Sequence, residues 1–155
     1  MKRFWIIMAL LLLSLTLFFS RNYRGGFSGY QCSAQMVYRS ALPSGSFTYT
    51  VEAKMFFTGP REGFYALNGT LVHDENRYNL HRTRFFTFRR QNPQGLYEIT
   101  MTREIVSTLD NTPPGIASPV LLPVGQSLLP SFKRIDTKSI VVSLLYSPFF
   151  ICASD

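Results

Sequence analysis

The stretch that most limits what this chain can fold into is a strict alternation in its first half. Phe47, Tyr49, Val51, Ala53, Met55 and Phe57 alternate with Thr48, Thr50, Glu52, Lys54 and Phe56. A period of two puts the first set on one face of a strand and the second on the other, which is the signature of half-buried sheet. The same rhythm returns at Tyr97, Ile99, Met101, Arg103 and Ile105, set against Glu98, Thr100, Thr102 and Glu104. Between and around these lie further strand candidates at Tyr30 to Arg39, Gly63 to His73 and Tyr78 to Arg90, with a last one from Ser139 to Cys152. Gly69 marks a bulge or a point of close packing in the third, and Pro148 an edge or bulge in the last. Turn residues separate them: ALPSG at 41–45, TGPRE at 58–62, Asp74 to Asn76, and QNPQG at 91–95. Strands joined by short turns, each with one apolar face, form an antiparallel meander around a single core. The expected fold is therefore mainly β: a small antiparallel barrel or a sharply curled sheet.

One segment departs from this rhythm. Between Asn111 and Phe132, the prolines at 113, 114, 119, 123 and 130 exclude a long helix or a central strand. Ile116, Val120, Leu121, Leu122, Val124, Leu128 and Leu129 are nonetheless too apolar to stand in water. This Pro-rich crossover is expected to pack over one mouth of the barrel, with a helical turn around Gln126 to Leu129. It either plugs the core or, as long connections often do, carries function.

The N-terminus follows a third pattern. Phe4 to Phe19 is a run of sixteen residues without a charge, preceded by Lys2 and Arg3 and followed by Arg21 and Arg24. As a helix it covers about 24 Å, short of the roughly 30 Å hydrocarbon core of a bilayer unless Ser20 joins it and the bilayer thins. A cleavable signal would want small residues near its end, whereas this run closes on Leu17, Phe18, Phe19, Ser20 and Arg21. Tyr30 and Gln31 before Cys32 are too bulky, and too far from the run, for a lipoprotein signal. A buried core helix would want a polar face, which is missing. The expectation is an uncleaved transmembrane helix with its flanks at 1–24, and a β domain at 25–155. The early Lys2 and Arg3 favour the N-terminus inside and the remainder translocated. Arg21 to Gly29 reads as a glycine-containing linker that holds the domain off the membrane.

The chain carries a formal charge of +7. Setting aside Lys2, Arg3, Arg21 and Arg24 leaves +3 for the β domain, so the basic balance owes much to the flanks of the apolar run. A domain with so little excess charge is a poor candidate for direct nucleic-acid binding. The two cysteines, Cys32 and Cys152, allow one pairing. In an oxidising compartment a disulfide would tie the first strand to the last and stabilise by about 4 kcal/mol in the chain-entropy model. Two buried thiols are the alternative. A metal site has less support, because neither cysteine has a histidine near it in sequence.

Candidate chemistry is sparse. His73, Asp74, Glu75 and His81 form the best acid-base or metal-like cluster, since two histidines flanking a turn can face each other across strands. The alternative is a pair of solvated hairpin ends, and no nucleophile motif or third ligand accompanies them. Asn68-Gly69-Thr70 matches a glycosylation acceptor, relevant only in a eukaryotic secretory pathway. The arginines are more informative. Arg77, Arg82, Arg84, Arg89 and Arg90 crowd one strand, with Arg103 on the next, and Arg82, Arg84 and Arg90 share the face of Phe86 and Phe88. Such arginines point into the barrel or sit at its rim, where they suit an anionic ligand or a partner's carboxylate. Cross-strand pairing with Glu98 and Glu104 is the competing account.

A basic start, one short apolar run, a cysteine soon after it, the arginine-aromatic stretch HRTRFFTFRR at 81–90, the NTPPG segment at 111–115 and a final cysteine together resemble the FidL-like membrane proteins of enteric bacteria. The resemblance implies a single-pass inner-membrane protein with a periplasmic, lipocalin-like domain. Such proteins look like the small ToxS-type partners of ToxR-like or CadC-like transmembrane transcription regulators, in which the barrel is completed with the regulator's own domain and some pairs bind bile salts. It implies no catalytic residues and no cofactor.

Together these readings lead to the expectation of a non-enzymatic accessory protein that binds and stabilises a membrane partner, a transcription regulator, as a heterodimer. A strand edge near Tyr146 to Cys152 or Tyr30 to Arg39 would pair with that partner. The alternative is a small-ligand module, with a cavity lined by Phe47, Tyr49, Phe86 and Phe88 and with Arg82 or Arg84 holding a bile-like or lipid-like anion.

Overall fold

In the computed structural model, residues 2–23, 26–42, 45–117, 121–145 and 147–154 are described. The chain opens with a helix, α1, at Lys2–Tyr23. The burial of its side chains is described at positions 5–17, where every residue is exposed. That stretch rises about 20 Å, against a hydrocarbon core of roughly 30 Å. Among the described residues no helix is long and apolar enough to cross a membrane, which corrects the expected transmembrane helix.

The remainder is a nine-stranded antiparallel sheet. Its strands are β1 (Gln31–Leu42), β2 (Gly45–Phe56), β3 (Glu62–His73), β4 (Asn76–Arg90), β5 (Tyr97–Val106), β6 (Ser127–Leu128), β7 (Pro130–Arg134), β8 (Ser139–Leu144) and β9 (Ser147–Ala153), with a short helix, α2, at Pro114–Ala117. The order across the sheet is β6-β5-β4-β3-β2-β1-β9-β8-β7. The sheet curls until its two ends meet: Leu96 bridges Ser131, and the Phe132 amide donates to the Gly95 carbonyl at 2.9 Å. Gly95 sits at φ 93°, and a Cβ there would lie 2.7 Å from the Phe132 carbonyl oxygen, so only glycine lets β7 come this close. The result is a nearly closed barrel, as the alternating pattern requires.

Two expectations change in detail, and one open alternative is decided. The last strand is two strands, β8 and β9, joined through Leu145 in the left-handed region at φ 50°. Pro148 stands beside a register shift that leaves Phe149 unmatched against β8, the bulge that a residue without an N–H invites. The segment around Gln126 to Leu129 is not a helical turn: Ser127 and Leu128 pair with Thr100 and Ile99 of β5, because an open strand edge lay within reach. Gly69 marks close packing and no bulge, since the β2–β3 register runs unbroken through Val51 and Gly69, and a Cβ there would fall 2.7 Å from the Cα of Val51. The 41–45 turn, Pro119 and Val120 of the crossover, and Tyr146 lie wholly or partly outside the described residues.

The core divides into two clusters. The larger gathers Phe27, Phe57, Phe86, Phe88, Tyr97 and Phe132 with the two cysteines and aliphatic neighbours. Phe27 belongs to the expected linker, yet it is only 8% exposed, with its ring 5.1 Å from that of Phe57 and 5.4 Å from that of Phe132. The Gly29 amide donates to the Phe57 carbonyl at 2.8 Å. The linker therefore closes the barrel end from which β1 starts. The smaller cluster holds Tyr49, Val51, Ala53, Leu67, Leu71 and Leu80, with Ile116 and Leu121 of the crossover packed against it. The crossover thus lies over the barrel interior, as expected.

Candidate functional site

The arginines of β4 do turn inward. Arg84 is 1% exposed, and Arg82 is buried too. Alternate residues of β4 from Leu80 to Phe88 share the buried face, which carries both side chains inside. Arg82 Nε donates to Asp110 Oδ2 at 2.8 Å, and its Nη2 donates to the Thr112 carbonyl at 3.2 Å. Arg82 and Arg84 both approach Glu104 Oε1, at 3.5 and 3.2 Å. The Arg84 Nη2 donates to the Leu122 carbonyl, and its Nη1 faces the Tyr65 hydroxyl at 3.5 Å.

Two guanidinium groups and two carboxylates thus form a neutral buried cluster that clasps the crossover onto the sheet. Burial alone would penalise the charge on Arg82, but the hydrogen bond and charge of Asp110, with Glu104 behind it, hold its pKa above the ordinary value. Burial likewise opposes the Asp110 carboxylate. The Arg82 hydrogen bond, with backbone N–H groups from His81 and Thr112, outweighs that and keeps its pKa below the usual range. Arg82 is therefore satisfied by groups of the chain itself, whereas Arg84, although ion-paired with Glu104, keeps a buried Nε without a hydrogen bond.

The other arginines stay outside. Arg89 pairs with Glu98 at 2.8 Å, Arg90 turns out to bond the carbonyls of Asn92 and Pro93, and Arg103 lies 4.0 Å over the Phe85 ring. Arg90 thus leaves the face it was expected to share with Phe86 and Phe88. The histidines do not face each other. His73 is in register with Asn76 and His81 with Asn68, so the hairpin separates them along its length. Among the described residues no group of three or more His, Cys, Asp or Glu could hold a metal ion.

Beside the clasp lies an apolar cavity of about 460 Å³. Its wall includes Met36, Tyr49, Phe86, Ile99, Leu121, Leu122, Phe149 and Phe150. Of the four aromatic residues expected to line a pocket, Tyr49 and Phe86 do so. Phe88 is instead packed between Phe57 and Tyr97, and Phe47 stands edge-on between Tyr49 and His73. Tyr65 also borders the cavity. Its burial raises the phenol pKa against the lowering influence of Arg84.

The cavity lies where two of its walls part. β1 meets β9 at one register pair, Ser33 with Ala153, and no other joins them among the described residues. The Cys32–Cys152 disulfide, with its Cα atoms 5.3 Å apart, sits next to that pair. Beyond it β1 continues to Leu42, paired among the described residues with β2 on one side only. Val37 is 61% exposed and Phe149 48%, with Tyr38 and Ile151 also exposed along the same gap. The expected edges at Tyr30 to Arg39 and at the end of the chain are thus the two sides of one seam. Sequence reasoning missed Asp110 and the plug Phe27. An Asx-type turn, with Asp110 Oδ1 accepting from the Thr112 amide at 2.9 Å, was the one local signal for the former.

Among proteins of established function, none matches this chain. The model of the family described as "FidL-like putative membrane protein" matches residues 69–152, a little over half of the chain, from the middle of β3 to the second cysteine. The chain belongs to the FidL-like family.

Proposed function

We propose that this protein is a non-enzymatic accessory module that completes its sheet with a strand from a second protein. The observation that carries this reading is the seam: a β1 edge whose outer side is paired, among the described residues, only at Ser33, flanked by exposed Val37, Tyr38 and Phe149. Free backbone donors and acceptors beside an apolar hollow suit an extended peptide whose alternate side chains enter the barrel. An open edge of this kind is an aggregation hazard unless something covers it. The resemblance to ToxS-type proteins makes a membrane-bound transcription regulator the partner of choice, with the domain on the periplasmic side.

The same reading attaches the protein to a membrane through α1. From Trp5 to Leu17 the helix is exposed on every side, and it has apolar residues all round. A helix of that kind is at home in lipid and not in water.

The test is copurification of the tagged full-length chain from membranes. Wild type is expected to bring down a membrane regulator as a heterodimer, and replacing Val37 and Tyr38 together by Asp should reduce its recovery at least tenfold. Recovery of self-complexes alone would count against the proposal. A second reading, an apolar small-ligand module, is favoured by the cavity volume, which falls within the roughly 300–1,000 Å³ of ligand pockets. Thermal shifts of the full-length chain with bile salts and fatty acids would test it. Because Arg82 and Arg84 are already paired, such a ligand would be held by its apolar part.

A further inference from the structure

We propose that the barrel end closed by Phe27 is a docking face for an anionic lipid surface, an inference that rests on the membrane attachment of α1 given above. Helix α1 ends at Tyr23 and the plug is Phe27, so three residues separate them and the four Cα steps span at most about 14 Å when extended. Lipid that holds the helix therefore lies close to this end and not to the other.

Three turns form the face: 57–61 between β2 and β3, 91–96 between β4 and β5, and 135–138 between β7 and β8. Arg61, Arg89, Arg90, Lys133, Arg134 and Lys138 are exposed on them or at their bases. Against these six stand three carboxylates: Glu62, Asp136 and Glu98, the last already paired with Arg89. Asp155, two residues past β9, lies outside the described residues. At the opposite end, Arg39 and Arg77 are balanced by Asp74 and Glu75. The charge excess is therefore greatest at the end where the chain enters.

The face also offers apolar contact. Ile135, at the tip of the β7–β8 turn, is 57% exposed. The turn is tied to the plug, since the Tyr30 hydroxyl donates to the Lys138 carbonyl at 2.8 Å and the Arg134 guanidinium lies 5.5 Å from the Tyr30 ring. Basic side chains around an exposed aliphatic tip fit a headgroup layer bearing negative charge, whose pull on such residues fades within a Debye length.

The experiment is hydrogen exchange of the full-length chain in nanodiscs of phosphatidylcholine alone and of phosphatidylcholine with phosphatidylglycerol. Amides of 58–62 and 134–138 are expected to exchange about tenfold more slowly in the anionic discs. The difference should vanish in 0.5 M salt, where screening is short-ranged, and in a variant carrying Arg61→Glu, Arg134→Glu and Lys138→Glu. The salt arm uses the wild-type protein and so stands even if that variant folds poorly. Equal exchange in the two discs, with the protein incorporated in both, overturns this inference alone. A chain that enters neither disc nor floats with vesicles overturns the membrane reading and this inference with it.

Discussion

The plugged end and the seam are built from the same aromatic-rich strands but are finished in opposite ways. At the plugged end Phe27, Phe57, Phe88, Tyr97 and Phe132 interlock with ring centroids 5.1–6.0 Å apart, and the linker itself supplies the stopper. At the seam β9 leaves β1 after one register pair, and a cavity stands beside the gap. Packing of the first kind stabilises the chain alone, whereas apolar surface of the second kind gives its return only when something covers it. Stability thus belongs to one region of this small barrel and the proposed association to another.

The bond at the base of the seam should matter most for stability. Replacing Cys32 and Cys152 by Ser releases a loop closed over a sequence separation of 120, at a cost of about 4 kcal/mol in denaturant unfolding. Phe57→Ala, at a position 1% exposed in the plugged end, should cost about 3 kcal/mol or slightly more by the same measurement. Equal stability of this variant and wild type would show that the plugged end is not the stabilising region.

Acid should act on the clasp. The Asp110 carboxyl has a pKa below its ordinary value in the folded state, so its contribution is fully present above the unfolded value of about 3.9. That contribution is lost as the pH falls through the folded pKa. Wild type should therefore lose more stability between pH 5 and pH 3 than Asp110→Asn, followed by urea midpoints. The smallest effect belongs to the seam: Val37→Asp should change stability by less than about 0.5 kcal/mol, while recovery of the proposed partner falls. A large loss of stability there would mean that the seam is structural and not reserved for association.

Much of this was legible because a period of two leaves little choice. The facing set of β2 and the inward arginines of β4 follow from alternation alone, and so does the need for a partner charge inside. What periodicity does not encode is which non-neighbouring segments meet. Phe27 was hidden by the glycines around it, since nothing local tells a stopper from a spacer. Asp110 lies past the end of β5, beyond the alternating stretch, and becomes a partner of Arg82 only once the crossover folds back. Ser127 and Leu128 became strand because β5 offered them an edge. Pro148 leaves Phe149 unmatched against β8, the bulge that the sequence suggested, whereas the parting of β1 from β9 has no local signal.

The pairing of β1 with β9 also sets a timetable. Strands β1 to β5 meet in chain order through short turns and need only local encounters, but the barrel cannot close until residues near Cys152 have been made. Contacts of such long sequence separation are late and slow. Through most of its synthesis, therefore, the chain has both outer strands unsatisfied, a state that chaperones can hold. Oxidation of the two thiols would then mark the end of assembly, so the age of a newly made molecule could be read from whether its cysteines still react.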